Sequence, residues 1–235
     1  MTDTPKILMI ATSAATMAPS DEPTGVWLEE LTAPYYAFRD AGADVTLASI
    51  SGGAIPIDAR SVAPKGENEA TVERYFEDPL LREAVAATPR FDTLKVADYD
   101  AVFLPGGHGT MFDYPESAAL ARLVEETLES GKVLAAVCHG PAGLVNAKRA
   151  DGASIVTGRK VAGFTDSEER AVGLDAAVPF LLESRLRDLG ADYVSGADFE
   201  PFAVSDGNLV TGQNPASAAK TAALVLDAVS HRKAA

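Results

Sequence analysis

Cysteine is almost absent from this chain, because Cys138 is the only one among 235 residues. A single cysteine cannot form an internal disulfide and cannot supply a cluster of thiolate ligands for zinc. The three histidines, His108, His139 and His231, also lack the close spacing of a metal-ligand motif. We therefore predict no obligatory metal and no cofactor, and any sulfur chemistry must depend on one thiol.

Positive charge is also scarce. The 20 Lys and Arg residues face 34 Asp and Glu residues, a formal net charge of −14, which repels nucleic-acid phosphates and anionic lipids and predicts neither partner. The longest apolar runs, such as residues 133–138, are far shorter than the roughly 18 residues of a membrane span. The first residues lack the basic region and long apolar stretch of a signal peptide, so we expect a cytoplasmic location. Hydrophobic residues make up 47% of the chain, enough for a full core.

Apolar runs and helical patterns alternate along the first 140 residues. Near-continuous apolar runs predict buried parallel strands at 6–12, 44–49, 101–104 and 132–137. Helical spacing predicts helices over 26–41, ending before Gly42, and over 115–130, ending before Gly131. This alternation predicts one α/β domain over 1–235, with a doubly wound, mostly parallel sheet sandwiched by helices. A small helical insert is predicted within about 60–90, after a Gly- and Pro-rich loop.

The last hundred residues contain shorter elements. A short helix is predicted over 140–147, two short strands within 154–161, and helices over 167–172 and 178–189. A hairpin is predicted over 204–211 around an Asp-Gly-Asn turn, and a closing helix over 215–230.

Cys138 follows an apolar strand and precedes a run of small residues. This order is typical of a nucleophile elbow, a tight strand-to-helix turn in which Gly140 permits close backbone approach. A helix start favours anions, so we expect a lowered thiol pKa. The alternative is a buried structural cysteine, since free cysteine is among the most buried residue types.

The second candidate is the glycine-rich loop after the strand at 101–104. Its glycines leave backbone N–H groups free to face a cleft, so the N–H groups of Gly107 and His139 are candidates for an oxyanion hole. His108 borders the same cleft and is a candidate substrate contact. The alternative for the loop is a simple tight turn. Residues 112–114 either line the pocket or start the next helix.

Acidic pairs lie near two predicted helix starts. Glu29 and Glu30 belong to the first helix, and Glu168 and Glu169 to a later one. For each pair the alternative is a solvated carboxylate that stabilises the helix dipole or caps the helix. Spacing alone does not place any of these acids near Cys138. Three prominent aromatic residues are expected in the core or an interface: Trp27, Tyr35 and Tyr36.

Five ordered blocks of the chain resemble the ThiJ/PfpI superfamily, which has a flavodoxin-like fold of the class I glutamine amidotransferase type. The resemblance is nearly full length and is strongest to the branch of glutathione-independent glyoxalases (glyoxalase III) and small heat-shock-type chaperones. The blocks are 24–30 with Pro34, 107–115, 136–141, 163–166 with Glu169, and 206–217.

The resemblance implies a role for each matching residue. Cys138 becomes the nucleophile, His139 its imidazole partner, and Glu30 the acid facing the thiol. Glu169 becomes the carboxylate that orients His139, with neighbouring Glu168 as the alternative. The implied reaction converts methylglyoxal or glyoxal, small 2-oxoaldehydes, to D-lactate or glycolate without glutathione or a redox cofactor, in a homodimer.

Two other functions remain open within the same resemblance. A cysteine hydrolase, either an intracellular peptidase or an amidase, uses the same three groups. A holding chaperone, an oxidative-stress sensor with Cys138 as its switch, or a protein-deglycation activity belongs to another class. A glutamine amidotransferase is disfavoured because the last histidine, His231, lies in a terminal tail.

Overall fold

The computed structural model describes residues 4–234. Five parallel strands and one antiparallel edge strand form a central sheet in the order β4-β1-β5-β6-β10-β9. Two small two-stranded sheets pair β2 with β3 and β7 with β8. The strands are β1 Lys6–Ala11, β2 Thr16–Met17, β3 Glu22–Pro23, β4 Asp44–Ser49, β5 Ala101–Leu104, β6 Val133–Val137, β7 Lys160–Val161, β8 Asp192–Tyr193, β9 Ala203–Asp206 and β10 Leu209–Gly212.

Helices cover both faces of this sheet. They are α1 Leu28–Asp40, α2 Ala70–Glu77, α3 Pro79–Ala86, α4 Thr110–Asp113, α5 Ala118–Glu129, α6 Asp166–Ala171, α7 Leu182–Asp188 and α8 Ala218–Ala234. Alternate residues of the central parallel strands enter two separate cores, as Leu8 and Ile7 of β1 show. One core lies beneath α5 and α7, and the other beneath α1 and α8. The predicted α/β sandwich is confirmed.

The chain order of the strands creates a switch point at β1. Its neighbours are β4 on one side and β5 on the other, so the connections after β1 and after β4 leave the sheet in opposite directions. Ligands of doubly wound sheets bind at the carboxyl ends of strands beside such a point. The loops after β1, β5, β6 and β10 all leave the carboxyl ends of their strands, at one edge of the sheet.

Most predicted elements lie within a few residues of their observed bounds. Gly42 ends α1 with a φ of 83°, and Gly207 has a φ of 59° in the β9–β10 turn. Helix α5 starts at Ala118, three residues later than predicted, because the Ser117 hydroxyl caps it by accepting a hydrogen bond from the Leu120 N–H. Two helices, α2 and α3, lie within the range predicted for the helical insert.

Three details of the prediction are wrong. Residues 155–158 form turns, Ser154 makes only an isolated bridge to Lys148, and Lys160–Val161 is the one strand where two were predicted. The helix predicted from residue 178 begins at Leu182. The two-residue strands β2, β3 and β8 were not predicted, since so short a pairing leaves no periodic pattern.

No helix among residues 4–234 is both long and apolar enough to cross a membrane. The single-domain boundary of 1–235 stays a prediction.

Candidate active site

Cys138 occupies a strained turn directly after β6. Its φ of 59° lies in the left-handed region, which side chains other than glycine rarely adopt. The turn is held on both sides, because the Cys138 N–H donates to the Gly212 carbonyl at 3.0 Å and the Phe164 N–H donates to the Cys138 carbonyl at 2.9 Å. A Cβ atom on Gly140 would overlap the Leu104 carbonyl. The backbone therefore has the elbow geometry that the sequence predicts.

A hydrogen-bonded chain runs from the thiol through one imidazole to one carboxylate. The Cys138 Sγ lies 3.2 Å from His139 Nδ1, and His139 Nε2 lies 2.7 Å from Glu169 Oε2. All three side chains are buried. The imidazole can therefore move a proton to or from the sulfur, with Glu169 setting its orientation.

The second oxygen of Glu169 binds His108, whose Nε2 lies 2.8 Å from Oε1. Burial opposes ionisation of Glu169, but the two imidazoles outweigh it and hold its pKa well below the ordinary range. Burial, with the charge of His139, lowers the pKa of His108 to about 4. His108 is therefore neutral at pH 7, and its Nε2–H donates to the Glu169 carboxylate. The ring also borders the cavity described below, so His108 occupies the position predicted for a substrate contact.

Glu168 faces a different set of groups. Its Oε2 accepts hydrogen bonds from the backbone N–H and hydroxyl of Thr165, which forms the capping box of α6. Its Oε1 accepts from the Phe199 N–H at 2.7 Å, the Asn214 amide at 2.8 Å and the Gln213 amide at 3.1 Å. Of the two candidate partners of His139, Glu169 has the matching position, and Glu168 anchors loops.

Glu30 reaches the other side of the thiol from α1. Its Oε2 accepts a hydrogen bond from the Gly106 N–H at 2.8 Å, and its Oε1 has no hydrogen-bond partner of ordinary geometry. Burial raises its pKa well above the ordinary value, against the hydrogen bonding of Cys138 and Gly106. A buried carboxyl whose surroundings favour the protonated form therefore lies beside the sulfur.

The expected lowering of the thiol pKa is wrong. Burial raises the pKa of Cys138 well above its ordinary value, and the charge and hydrogen bonding of Glu30 raise it further. The segment after the elbow is a five-residue 3-10 turn, Gly140–Leu144, rather than an α-helix, so it offers little dipole to stabilise a thiolate. A thiolate here requires a proton acceptor within reach.

The two residues predicted to supply oxyanion donors, Gly107 and His139, both line the cavity that contains the thiol. The N–H groups of Gly107 and His139 donate no hydrogen bond to another group within residues 4–234, although both residues are buried. Gly107 has a φ of 106°, and a Cβ atom there would overlap the backbone of Gly25 and Trp27. Only glycine fits this position, and its N–H meets no acceptor in the part of the chain that the structure describes.

An inner cavity of about 370 Å³ opens onto these groups. An outer cavity of about 330 Å³ adjoins it and shares four lining residues: Trp27, Arg60, Phe199 and Pro215. The inner walls are largely apolar and include Phe164, Val172 and Leu174. The arrangement suits a small organic substrate with an apolar part.

Trp27 is half-buried and lines both cavities, so it lies outside the buried core, and its expected alternative place in an interface stays a prediction. Tyr36 is buried and bonds Asp78 through its hydroxyl at 3.1 Å, as expected of a packed residue. Residues 112–114 do not line the inner cavity. Asp113 instead binds the β1–β2 loop through Thr12, Ser13 and Ala14.

Two pocket residues escaped the sequence reasoning. Arg60 lies in a segment whose Gly, Pro and Ser content predicted a loop. The acid two residues before it, Asp58, was the one nearby charge that could have suggested an ion pair. Phe199, with a φ of 61°, leaves no pattern that marks it.

The imidazoles and Glu169 also form the one group of buried donors among the described residues that could hold a metal ion. One ligand atom from each of His108, His139 and Glu169 lies within 4.8 Å of the others. Both carboxylate oxygens already bind an imidazole, whereas the Nδ1 atom of His108 is buried without a hydrogen-bond partner among the described residues. The absence of an obligatory metal stays a prediction.

Comparisons with known proteins give the same fold and a common family. The DJ-1/PfpI family model matches residues 24–228. Glutathione-independent glyoxalase HSP31 of Saccharomyces cerevisiae is 34% identical over 236 residues, which cover 95% of this chain and 98% of that protein.

Two solved structures are similar over nearly their whole length. Glyoxalase III of Candida albicans shares 32% identity with a TM-score of 0.84, covering 95% of this chain and 97% of that one. The Rapid Encystment Protein 24 kDa of Francisella tularensis shares 36% identity with a TM-score of 0.92, covering 96% and 99%. From this match and from the elbow geometry, the chain belongs to the DJ-1/PfpI family.

Proposed function

We propose that this protein is a glutathione-independent glyoxalase, which converts methylglyoxal to D-lactate and glyoxal to glycolate. The observation that carries the proposal is the position of Glu30, a buried carboxyl of raised pKa beside the Cys138 thiol, with His139 on the thiol's other side. The names of the yeast and Candida relatives support the same activity. The role of each residue below is part of the proposal.

The first step forms a hemithioacetal. His139 takes the Cys138 proton, the sulfur attacks the aldehyde carbon, and a new C–S bond forms while the C=O bond opens to an oxyanion. The free N–H groups of Gly107 and His139 stabilise that oxygen until it is protonated.

The second step moves hydrogen between the two substrate carbons. Glu30 gives its proton to the neighbouring ketone oxygen and, as a carboxylate, takes the hydrogen from the former aldehyde carbon, which yields an enediol. Glu30 then returns that proton to the adjacent carbon and, as a carboxylate again, accepts the hydroxyl proton of the first carbon, whose C=O bond re-forms. This leaves a thioester at the first carbon, a hydroxyl at the second and a protonated Glu30. One carbon is oxidised and its neighbour reduced, so no external oxidant is consumed.

The third step releases the product. Water attacks the thioester with His139 as base, the C–S bond breaks, and the thiol recovers its proton. Glu169 orients His139 throughout and stabilises its charged form. The net change is the addition of one water molecule, and the product is a 2-hydroxy acid.

The hydrogen-bonded Cys138, His139 and Glu169 also suit a cysteine hydrolase, which is the second candidate. Hydrolysis needs no carboxyl at the position of Glu30, since no hydrogen moves between substrate carbons. The holding-chaperone alternative needs none of these groups, so a Cys138→Ala variant that suppresses aggregation as well as wild type would support it.

The test is incubation of wild type and Cys138→Ser with methylglyoxal in the absence of glutathione, with chirally resolved lactate as the readout. We expect many turnovers of D-lactate from wild type and none from the variant. Loss of aldehyde alone is not counted, because Arg and Lys side chains consume it. Wild type that forms no lactate but cleaves peptide or amide substrates contradicts the proposal and favours the hydrolase.

The proposal extends to assembly and location, as a cytoplasmic homodimer. The family resemblance supports the dimer, and the net charge of −14 is consistent with a chain that avoids anionic membranes. Sedimentation velocity and cell fractionation test these two points.

A further inference from the structure

The inner cavity is larger than the smallest 2-oxoaldehydes require. Its volume of about 370 Å³ equals that of about 12 water molecules at roughly 30 Å³ each. Methylglyoxal has only three carbons and fills a small part of this space. The apolar walls around Phe164, Val172 and Leu174 leave room for a substrate with a longer carbon chain.

Arg60 is the only lysine or arginine that lines this cavity within the described chain. Its guanidinium forms a two-pronged pair with Asp58, from Nε to Oδ1 at 2.9 Å and from Nη2 to Oδ2 at 2.6 Å. Asp58 is itself buried and accepts a hydrogen bond from the Thr24 hydroxyl at 3.1 Å. The pair therefore holds the guanidinium in a fixed orientation.

The third nitrogen of Arg60, Nη1, donates no hydrogen bond within residues 4–234, and its side chain is 36% exposed. A guanidinium with two nitrogens fixed and one free presents a directed donor to a ligand. The ligand that matches such a donor beside an apolar cavity is a carboxylate on an apolar chain.

Carboxylates near Arg60 do not occupy this position. Glu29, Glu67 and Glu69 line the outer cavity and do not line the inner one. Glu22 and Glu169 act on Arg60 only through their charges, and both oxygens of Glu169 are occupied by imidazoles. An anionic group that approaches from the inner cavity therefore meets a cation without a lining carboxylate beside it.

We propose that Nη1 of Arg60 binds a carboxylate at the far end of the substrate, so that the enzyme prefers 2-oxoaldehydes with an anionic tail. This inference rests on the proposed glyoxalase function and adds no chemical step to it. Cys138 attacks the aldehyde end, the apolar walls contact the intervening carbons, and Arg60 fixes the opposite end.

The test compares two substrates of equal chain length, 4,5-dioxopentanoate and its neutral analogue 2-oxopentanal, by kcat/KM for 2-hydroxy acid formation without glutathione. We expect wild type to prefer the anionic substrate and Arg60→Met to lower that preference about tenfold, the loss of one hydrogen bond to a charged group. The change should lie mainly in KM, because Arg60 does not touch the reacting carbons.

Arg90→Met is the matched control. Arg90 makes the same two-pronged pair with Asp92, from Nε at 3.1 Å and from Nη2 at 2.8 Å, but it lines neither cavity. Its substitution should leave the substrate preference unchanged. Arg60→Met leaves Asp58 buried and unpaired, so the double variant Asp58→Asn with Arg60→Met is measured in parallel. It should lose the substrate preference to the same extent and melt at a higher temperature than the single Arg60→Met variant.

Two outcomes overturn the inference in distinguishable ways. Equal preference in wild type, Arg60→Met and the double variant, with methylglyoxal still converted to D-lactate, overturns the role of Arg60 and leaves the proposed function intact. Absence of hydroxy-acid product from every aldehyde in wild type overturns both.

Discussion

At the scale of single residues, Glu30 and Cys138 are two acids buried against each other. Burial raises the pKa of both groups, because neither a carboxylate nor a thiolate is well solvated there. The surroundings of the pair therefore favour the protonated forms, and the imidazole of His139, whose Nδ1 lies 3.2 Å from the sulfur, is the base within reach of the thiol. A carboxyl that starts neutral can donate a proton first and accept one later, which the proposed hydrogen transfer requires.

We predict that Glu30→Gln folds normally and loses D-lactate formation by a factor of about 10² to 10⁴, the usual contribution of general acid–base catalysis. The amide oxygen can still accept the hydrogen bond from Gly106, but the side chain cannot exchange protons. The measurement is kcat from chirally resolved lactate, beside a thermal melt. Glu129→Gln, on the exposed part of α5, serves as the control. A wild-type rate in Glu30→Gln contradicts the role of this carboxyl.

At the scale of elements, the start of α6 separates two adjacent acids. Successive side chains of an α-helix point about 100° apart, so Glu168 and Glu169 cannot serve the same groups. Glu169 faces the two imidazoles, whereas Glu168 closes the capping box and binds the loop that contains Phe199. The same turn of helix thus orients His139 and anchors one wall of the cavity.

This separation predicts different effects when each of the two acids is replaced by Gln: a loss of activity at Glu169 and a loss of stability without loss of kcat at Glu168. Glu169→Gln should lower the kcat of the folded protein at least about 100-fold, because an amide cannot stabilise charged His139. Glu168→Gln should lower the free energy of unfolding by about 2 to 4 kcal/mol, because the amide NH2 group would face buried N–H groups that now donate hydrogen bonds to the Glu168 carboxylate. Its folded fraction should retain kcat. Lactate kinetics and urea unfolding measure the two effects. If Glu168→Gln lost kcat and Glu169→Gln kept it, Glu168 would be the carboxylate that orients His139.

At the scale of the whole molecule, the excess of acidic residues leaves some carboxyls without a cation. Glu29 lines the outer cavity, and burial, together with the charge of Glu69, raises its pKa to about 7 from an ordinary value of 4.5. Between these two pH values the folded chain binds more protons at Glu29 than the unfolded chain does. The stability that this group contributes is therefore lost as the pH rises through that window.

We predict that Glu29→Gln gains stability relative to wild type by about 1 to 2 kcal/mol between pH 4.5 and pH 8, after allowance for partial solvent screening. The amide does not titrate, so the variant does not lose stability through this group as the pH rises, whereas wild type does. Urea unfolding at both pH values measures the difference, with Glu129→Gln as the exposed control. A difference between variant and wild type that does not change with pH rules out the raised pKa.

The strands, the main helices and the elbow at Cys138 were predictable because their signals are local. Apolar runs mark β1, β5 and β6 wherever they lie in the fold, and a small-residue turn after a buried strand predicts the position of Cys138. The short pairings β2–β3 and β7–β8 were not predictable in the same way, since two residues carry no period and their pairing depends on tertiary contacts. The thiol pKa was mispredicted for a related reason, because burial is a property of the assembled fold.

By itself the sequence determined the alternating α/β order, the family and one candidate nucleophile, because these follow from spacing and local turn chemistry. Only the tertiary structure decided which side chains meet that nucleophile. Glu30 reaches Gly106 across 76 residues, and Glu169 reaches His108 across 61 and His139 across 30. Such contacts depend on the order of strands in the sheet, which brings the carboxyl ends of β1, β5 and β6 to one edge, and no periodicity along the chain encodes which acid lies there.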